Sequence, residues 1–277
     1  MNTELLAVAR LDLAEVLRSR WLIFCGVVYG LLAAMFVLVG VRESNVLGFT
    51  GMGRVLMSFT HALLLLLPLL ALTATSQLIN RARDDGTLEM LFSHPLSRRR
   101  YFVGITLVRY ALLLGPLLLL MVLLGLIGSL ILRQAIPWAF LLRAVAISAS
   151  LLWAFVGLGL LISTLVRNQA RAMMYVLVSF GLGVALLDFG VIGLLLKWRL
   201  HAATLFVVCA LNPVQAARMA LLSAAEPELG TLGPLGFFLA SRIGEQALFA
   251  LGTVWPAALG TILWALSARH FRQSDLV

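Results

Sequence analysis

A short charged loop holds the residues whose types and spacing most suggest a specific function. Asp84–Gly86 predicts a turn, because aspartate and glycine favour turn conformations. Asp85 or Thr87 can then cap a short helix. His94-Pro95 ends that helix, since the residue before proline disfavours the helical conformation. The pattern predicts a short helix that lies roughly parallel to the membrane, on the cytoplasmic side.

The predicted loop helix has an apolar side next to its charges. Leu88, Met90, Leu91 and Phe92 form that side, and Ser97 is expected to cap the helix that follows. Leu91 and Phe92 are predicted to be exposed, and exposed apolar residues beside charges usually mark an interaction site. The loop is therefore expected to bind a partner.

Composition shows which elements must position this loop. The chain has 277 residues, 62% of them hydrophobic and 12% charged, with a mean hydropathy of +1.03. Soluble domains are roughly 45–50% apolar and about 25% charged, and a spanning helix needs roughly 20 apolar residues. We predict an all-α membrane protein. Its six predicted spans are Trp21–Val41, Leu56–Ile79, Phe102–Leu132, Ala139–Val166, Met173–Leu196 and Gln246–Leu266.

The first twenty residues are predicted to form an amphipathic helix in the membrane interface. Its expected apolar face comprises Leu5, Leu6, Ala9, Leu13, Val16 and Leu17. Asp12 is assigned to the polar face. Residues 21–277 are predicted to form one six-span domain, with a loop at 80–101 and an outer segment at 197–245. Gly115-Pro116 should kink the third span.

Arginine placement predicts the orientation. The formal charge is +9, and the basic residues lie in short clusters between apolar runs. Such clusters mark the cytoplasmic side, and no soluble basic face is left for nucleic acid. The predicted cytoplasmic ends carry Arg10, Arg18, Arg20, Arg81, Arg83, Arg98, Arg99, Arg100, Arg167, Arg171, Arg269 and Arg272. We expect a bacterial inner-membrane protein with both termini in the cytoplasm.

The predicted outer segment contains the helical stretch His201–Ser223, interrupted at Asn212-Pro213. Its apolar part is about half the length of a span. A re-entrant or surface helix pair is expected. The alternative is a seventh span, which would place the C-terminus outside, against the charge pattern.

Other polar residues suggest weaker hypotheses. Soft ligands suit copper(I), and the candidates are Met57, His61, His201, Cys209 and Met219. Methionine and histidine at helical spacing are more often packing residues, so no metal site is assigned. Arg109 is expected to snorkel to the headgroups. Asp188 is expected to pair with a basic group such as Arg143, or to meet water.

Nucleotide hydrolysis is not expected in this chain. A phosphate-binding loop needs glycines followed by lysine and serine or threonine, and the single lysine, Lys197, lies between Leu196 and Trp198. No catalytic residue and no cofactor are predicted. ATP, if used, would be bound by another subunit.

The loop resembles that of type-2 permease subunits of ABC transporters. The matching residues are Asp85, Gly86, Thr87, Leu88, Glu89, Leu91, Pro95, Leu96, Ser97, Arg98 and Gly104. The family often has lysine after the last glycine, where this chain has Ile105. The resemblance implies that Gly86 to Arg99, a range that includes Phe92, forms a coupling helix. That helix would contact a cytoplasmic ATPase. It also implies a homodimer in the lipid bilayer.

Within that family, the sequence is most similar to membrane subunits that support maturation of nitrous oxide reductase. The similarity rests on the opening Leu-Leu-Ala-Val-Ala-Arg, the run Ile79–Arg98 and the outer run Leu211–Arg218. It implies a periplasmic partner and a role in copper-site assembly during denitrification. The alternatives are a type-2 exporter of a small or lipid-like substrate and a non-ABC membrane scaffold.

Overall fold

Every regular element in the described part of the chain is helical. The computed structural model describes residues 2–18, 23–31, 34, 51–130, 138–186, 202–225 and 242–273. The helices are α1 Asn2–Arg18, α2 residues 23–31, α3 Gly51–Thr75, α4 Leu78–Asp84, α5 Thr87–Phe92, α6 Arg98–Leu130, α7 Trp138–Leu165, α8 Gln169–Phe180, α9 Ala202–Leu211, α10 Pro213–Ala225 and α11 Glu245–Gln273. A π-helical stretch, Gly181–Leu186, follows α8.

Within the described ranges, four helical segments are long and apolar enough to cross a membrane. They are Ala62–Asp84, Arg98–Leu123, Trp138–Leu165 and Glu245–Gln273. They coincide with predicted spans two, three, four and six. The all-α membrane class therefore agrees with the structure. Spans one and five extend beyond the described residues, so the count of six stays a prediction.

The helices α7 and α11 form the most extensive packed pair, and they run in the same direction. Their contacts advance together along both helices, at intervals of about seven residues. The contacting pairs are Arg143 with Glu245, Ser150 with Thr253, Gly157 with Gly260 and Thr164 with Ser267. Such a repeat is typical of helices that cross at a small angle.

Glycines bring the two backbones of this pair into close contact. A Cβ atom on Gly260 would lie 2.7 Å from the carbonyl oxygen of Trp153 and 2.8 Å from Cα of Ala154. Neither backbone atom can move without shifting a helix. Small residues at a helix interface allow this approach inside a membrane, where association depends on van der Waals packing.

The parallel course of α7 and α11 bears on the seventh-span alternative. Two parallel spanning helices require an odd number of crossings between them. The predicted span five would supply one crossing, whereas a further span in the outer segment would make α11 antiparallel to α7. The observed contacts therefore favour the arrangement in which residues 197–245 make no net crossing.

The outer segment contributes a helix to the core rather than to the surface. The helices α9 and α10 meet at Asn212, whose side-chain oxygen accepts the backbone N–H of Val214 at 2.9 Å. Val214, Ala217 and Leu221 of α10 are buried, and α10 contacts α3, α7 and α11. Of the two arrangements predicted for this helix pair, the packing of α10 favours the re-entrant one.

The sequence pattern suggested that span two is one continuous helix, but the structure breaks it. Its helix α3 ends at Thr75, and α4 begins at Leu78. The backbone N–H of Ile79, in the first turn of α4, donates to Oγ of Ser163 at 2.8 Å. A Cβ on Gly159 would lie 2.0 Å from Oγ1 of Thr75. Contacts with α7 stabilise the break, and hydropathy does not detect them.

The packed face of α1 also differs from the prediction. Val8, Asp12 and Val16 are buried, whereas Leu6 and Leu13 are exposed. Asp12 was assigned to the polar face, but it points toward α6. The reason is an arginine partner on α6, which the periodicity of α1 cannot reveal. The interfacial location of this helix stays a prediction.

Candidate functional site

One end of the helix bundle gathers the loop and many of the arginines. The helix α6 runs antiparallel to α11, and its first residue, Arg98, donates from Nη1 to the carbonyl oxygen of Arg272 at 3.2 Å. Gln169, which begins α8, donates to Asp84 of α4 at 2.7 Å. The predicted grouping of basic ends is therefore found in space for Arg81, Arg83, Arg98, Arg99, Arg100, Arg167, Arg171, Arg269 and Arg272.

A sharp turn separates α4 from α5. Gly86 has a φ of 68°, in the left-handed region where a side chain would be strained. It is also the N-cap residue of α5, and no side chain caps this helix. The predicted cap by Asp85 or Thr87 is wrong, because the left-handed glycine turns the chain directly into the helix. Asp85 instead lies 3.7 Å from Nε of Arg81.

The apolar side of α5 anchors it to the bundle. Leu88 is fully buried, and Leu91 and Phe92 are half-buried against the core. The ring of Phe92 lies 5.6 Å from the ring of Tyr101 and 6.4 Å from that of Phe271. The prediction that Leu91 and Phe92 are exposed is wrong. Both pack against the core of this chain, and Phe92 contacts α6 and α11.

The outward side of α5 carries a different set of residues. Glu89 and Met90 are exposed, and Met90 is 66% exposed. Ser93 donates to the carbonyl oxygen of Met90 at 2.7 Å, which closes the end of the helix. Pro95 is exposed beyond it. The helix therefore offers an acidic group beside a flexible apolar one to any molecule that approaches this end.

Residues after Pro95 lead directly into α6. The hydroxyl of Ser97 accepts the backbone N–H of Arg100 at 3.3 Å, which confirms the predicted cap. Arg99 is exposed. Since α5 and α6 share this short connection and the Phe92–Tyr101 contact, a displacement of α5 would act directly on α6.

Aromatic packing carries the contact further. Phe271 is fully buried, and its ring lies 5.4 Å from that of Phe102 and 6.0 Å from that of Tyr101. Trp264, two turns earlier in α11, lies 6.1 Å from Phe102 and 6.3 Å from Trp153 of α7. The aromatic cluster connects α5, α6, α7 and α11. Sequence reasoning missed Phe271, although its spacing of seven from Trp264 is a helical signal.

Arg109 does not reach back to the headgroups as predicted. Its Nη2 donates to Oδ1 of Asp12 at 2.7 Å, and the two side chains are only 13% and 7% exposed. The ion pair joins α1 to α6. Sequence reasoning missed this partner because 97 positions separate the two residues.

Few of the remaining polar candidates lie in the described part of the chain. Arg143 pairs with Glu245, and Asp188 lies outside the described residues. Cys209 and Met219 are buried on α9 and α10. His201 and the side chains of Met57 and His61 also lie outside the described part of the chain. Among the residues that the structure describes, no three histidine, cysteine, aspartate or glutamate side chains form a metal-binding group.

Comparison with known proteins agrees with this architecture. A family model described as "ABC-2 family transporter protein" matches residues 6–266. The chain is 27% identical over 271 residues to the "Probable ABC transporter permease protein NosY" of Stutzerimonas stutzeri, covering 95% of this chain and 97% of that protein. A Pseudomonas aeruginosa protein of the same description is 32% identical over 97 residues, 35% of each chain. The chain therefore belongs to the ABC-2 family of transporter proteins and resembles its NosY permeases.

Proposed function

We propose that this chain is the membrane subunit of an ATP-driven transporter, with α5 as its coupling helix. A separate cytoplasmic ATPase subunit binds the outward side of α5 and drives the change in the bundle. The proposed coupling residues then divide by role; they are Asp85, Gly86, Thr87, Leu88, Glu89, Leu91, Phe92, Pro95, Ser97, Arg98 and Arg99. Some anchor α5 within the chain, and others face the ATPase.

The division of α5 into two sides carries this proposal. Leu88, Leu91 and Phe92 face the bundle, and Glu89 is exposed on the other side. Met90 is exposed at the edge between the two sides, where it borders a cavity next to α5. A loop that only touched lipid headgroups would need no such anchor. A helix that transmits force needs one side fixed to the moving parts and the other free for the partner.

The packing suggests a route for the force. Motion of α5 reaches α6 and the C-terminal end of α11 through Phe92, Tyr101 and Phe271. The close glycine contact between α7 and α11 makes these two helices move as one body. The far half of that pair carries α10, so the motion would reach the opposite end of the bundle.

The fuller assembly is a proposal of the same kind. Two copies of the chain form a homodimer, each with its ATPase, and both termini face the cytoplasm. A periplasmic partner binds near the outer segment 197–245. The biological output is support for copper-site assembly in nitrous oxide reductase, and this chain carries no cofactor of its own. The NosY-described relatives support this choice among ABC-2 permeases.

The decisive experiment changes the outward side of α5 and leaves its anchor intact. We expect Glu89→Arg to insert normally but to lose at least tenfold in reductase maturation, because the reversed charge meets the ATPase surface. Stimulation of ATPase activity by the membrane subunit should fall in parallel. Glu89→Asp, which keeps the acidic charge at the same exposed position, is the matched control and should retain both activities.

Normal maturation by the Glu89→Arg protein would remove α5 from the coupling role. Loss of maturation with unchanged ATPase stimulation would place the function of α5 elsewhere. An assay in vesicles with the ATPase subunit separates export of a small or lipid-like substrate from action on a periplasmic partner. A non-ABC scaffold would co-purify with no ATPase in mild detergent.

A further inference from the structure

A cavity of about 380 Å³ lies behind α5, between α1, α4 and α6. Its volume lies within the range of small-molecule sites. The described residues that form its inner wall are mostly buried and apolar, including Val8, Val16 and Ile105. We propose that this cavity binds one zwitterionic phospholipid, with its glycerol ester region inside, its headgroup at Arg81 and Asp85, and its acyl chains leaving along the exposed Leu11.

Exposure identifies the mouth and the floor of the cavity. The side chains of Arg81 and Asp85 are 69% and 61% exposed and lie 3.7 Å apart. The floor holds the buried ion pair of Asp12 and Arg109. Leu11 also lines the cavity and is 61% exposed, so an apolar edge accompanies the charged mouth. A charged mouth beside an apolar edge matches a molecule that has a charged headgroup and an apolar tail.

The charges at the mouth favour a zwitterion over an anion. One guanidinium and one carboxylate stand side by side, which matches a headgroup carrying a phosphate and an ammonium. The floor pair is likewise neutral in sum, so it adds no preference for negative charge. A purely anionic headgroup would have to share Arg81 with the carboxylate of Asp85, which repels it.

The floor also offers a hydrogen-bond donor to a lipid. Nε of Arg109 is buried and has no hydrogen-bond partner in the described part of the chain. A buried guanidinium N–H without an acceptor is costly. An ester carbonyl oxygen is the acceptor that a phospholipid would bring to this depth. This donor distinguishes the cavity from a plain apolar groove.

The test uses the full chain in nanodiscs that contain equal amounts of phosphatidylethanolamine and phosphatidylglycerol. One of the two carries a photoactivatable diazirine in its acyl chain, and labelled peptides are mapped by mass spectrometry. We expect phosphatidylethanolamine to label the cavity peptides of α1 and α6 roughly two- to fivefold more than phosphatidylglycerol, the range that one exposed charge contact supports. No ATPase is present, so the outcome is independent of the coupling proposal.

Two variants make the expectation specific. Asp85→Asn leaves a cationic mouth and should reverse the preference toward phosphatidylglycerol. Asp84→Asn is the matched control, because Asp84 is exposed, is absent from the cavity lining and binds Gln169. Ala82→Trp should fill the cavity and abolish its labelling. Labelling around Leu142, an exposed apolar residue on α7, should persist in every variant and reports an intact fold.

Two results would overturn the proposal. Absence of cavity labelling, with Leu142 labelled normally, would mean that protein rather than lipid closes this space. Equal labelling by both lipids, unchanged in Asp85→Asn, would mean that only unselective surrounding lipid reaches these residues.

Discussion

The two ends of α11 are packed by opposite means. Its N-terminal half contacts neighbours through small residues, as where a Cβ on Gly252 would lie 2.3 Å from that of Ala220. Its C-terminal end lies in the aromatic cluster around Phe271, beside α5. Backbones that touch through glycine cannot slide without steric clash, whereas rings can tilt against each other. The difference suggests that α7 and α11 move as one rigid pair, here called the shaft. The aromatic cluster around Phe271, here called the joint, can adjust its packing.

The largest expected effect comes from a substitution that forces α7 and α11 apart. Gly260→Leu should prevent stable packing of α7 against α11, because its Cβ meets backbone atoms of Trp153 and Ala154. Overpacking typically costs about 1–3 kcal/mol, and a clash with two backbone atoms should lie at or above that limit. The folded fraction after detergent extraction, measured by size-exclusion chromatography, reports the loss.

Gly115 provides the control for this substitution. A Cβ at Gly115 meets no atom of the described residues within 4 Å, so Gly115→Leu should behave far more like the unmodified protein. Equal folded fractions for the two leucine variants would show that the glycine contact does not hold the shaft together.

A more local effect is expected at the joint. Phe271→Ala removes a fully buried ring that contacts Phe92, Tyr101 and Phe102, and such truncations cost about 3–5 kcal/mol. The loss should appear locally, as faster hydrogen exchange in residues 87–97, while α7 remains protected. Phe24→Ala, at a residue 55% exposed, is the control. Uniformly faster exchange along both helices would argue against a separate joint.

The smallest effect concerns the ion pair at the far end of the shaft. Arg143 and Glu245 are paired, but their side chains are 37% and 35% exposed. Their coupling energy should therefore be only about 0.5–1 kcal/mol. A double-mutant cycle with Arg143→Gln and Glu245→Gln, read by thermal unfolding, measures it. The charge swap Arg143→Glu with Glu245→Arg should recover most of the loss.

Local rules predicted much of the loop correctly. The helix Thr87–Phe92, its end near Pro95 and the Ser97 cap depend on residues only a few positions apart. Neighbouring residues also determine where apolar runs begin and end, so four predicted spans match long apolar helices. These features needed no knowledge of the rest of the chain.

Contacts between distant residues could not be predicted in the same way. The pattern placed Leu91 and Phe92 on an apolar side of α5, but it did not show that Phe271 covers Phe92. It likewise placed Arg109 in a span without revealing Asp12 as its partner. Periodicity shows which residues share a face, and it does not show what that face meets.

The sequence by itself determined the membrane class, the gathering of arginines at one set of helix ends and the bounds of the loop helix. Hydropathy and short-range turn and capping preferences act within one segment, so they can be evaluated from adjacent residues. Only the tertiary structure decided which side of α5 is anchored, where span two breaks and which charges pair. Those outcomes depend on how closely separate helices approach, and small residues such as Gly159 and Gly260 set that distance.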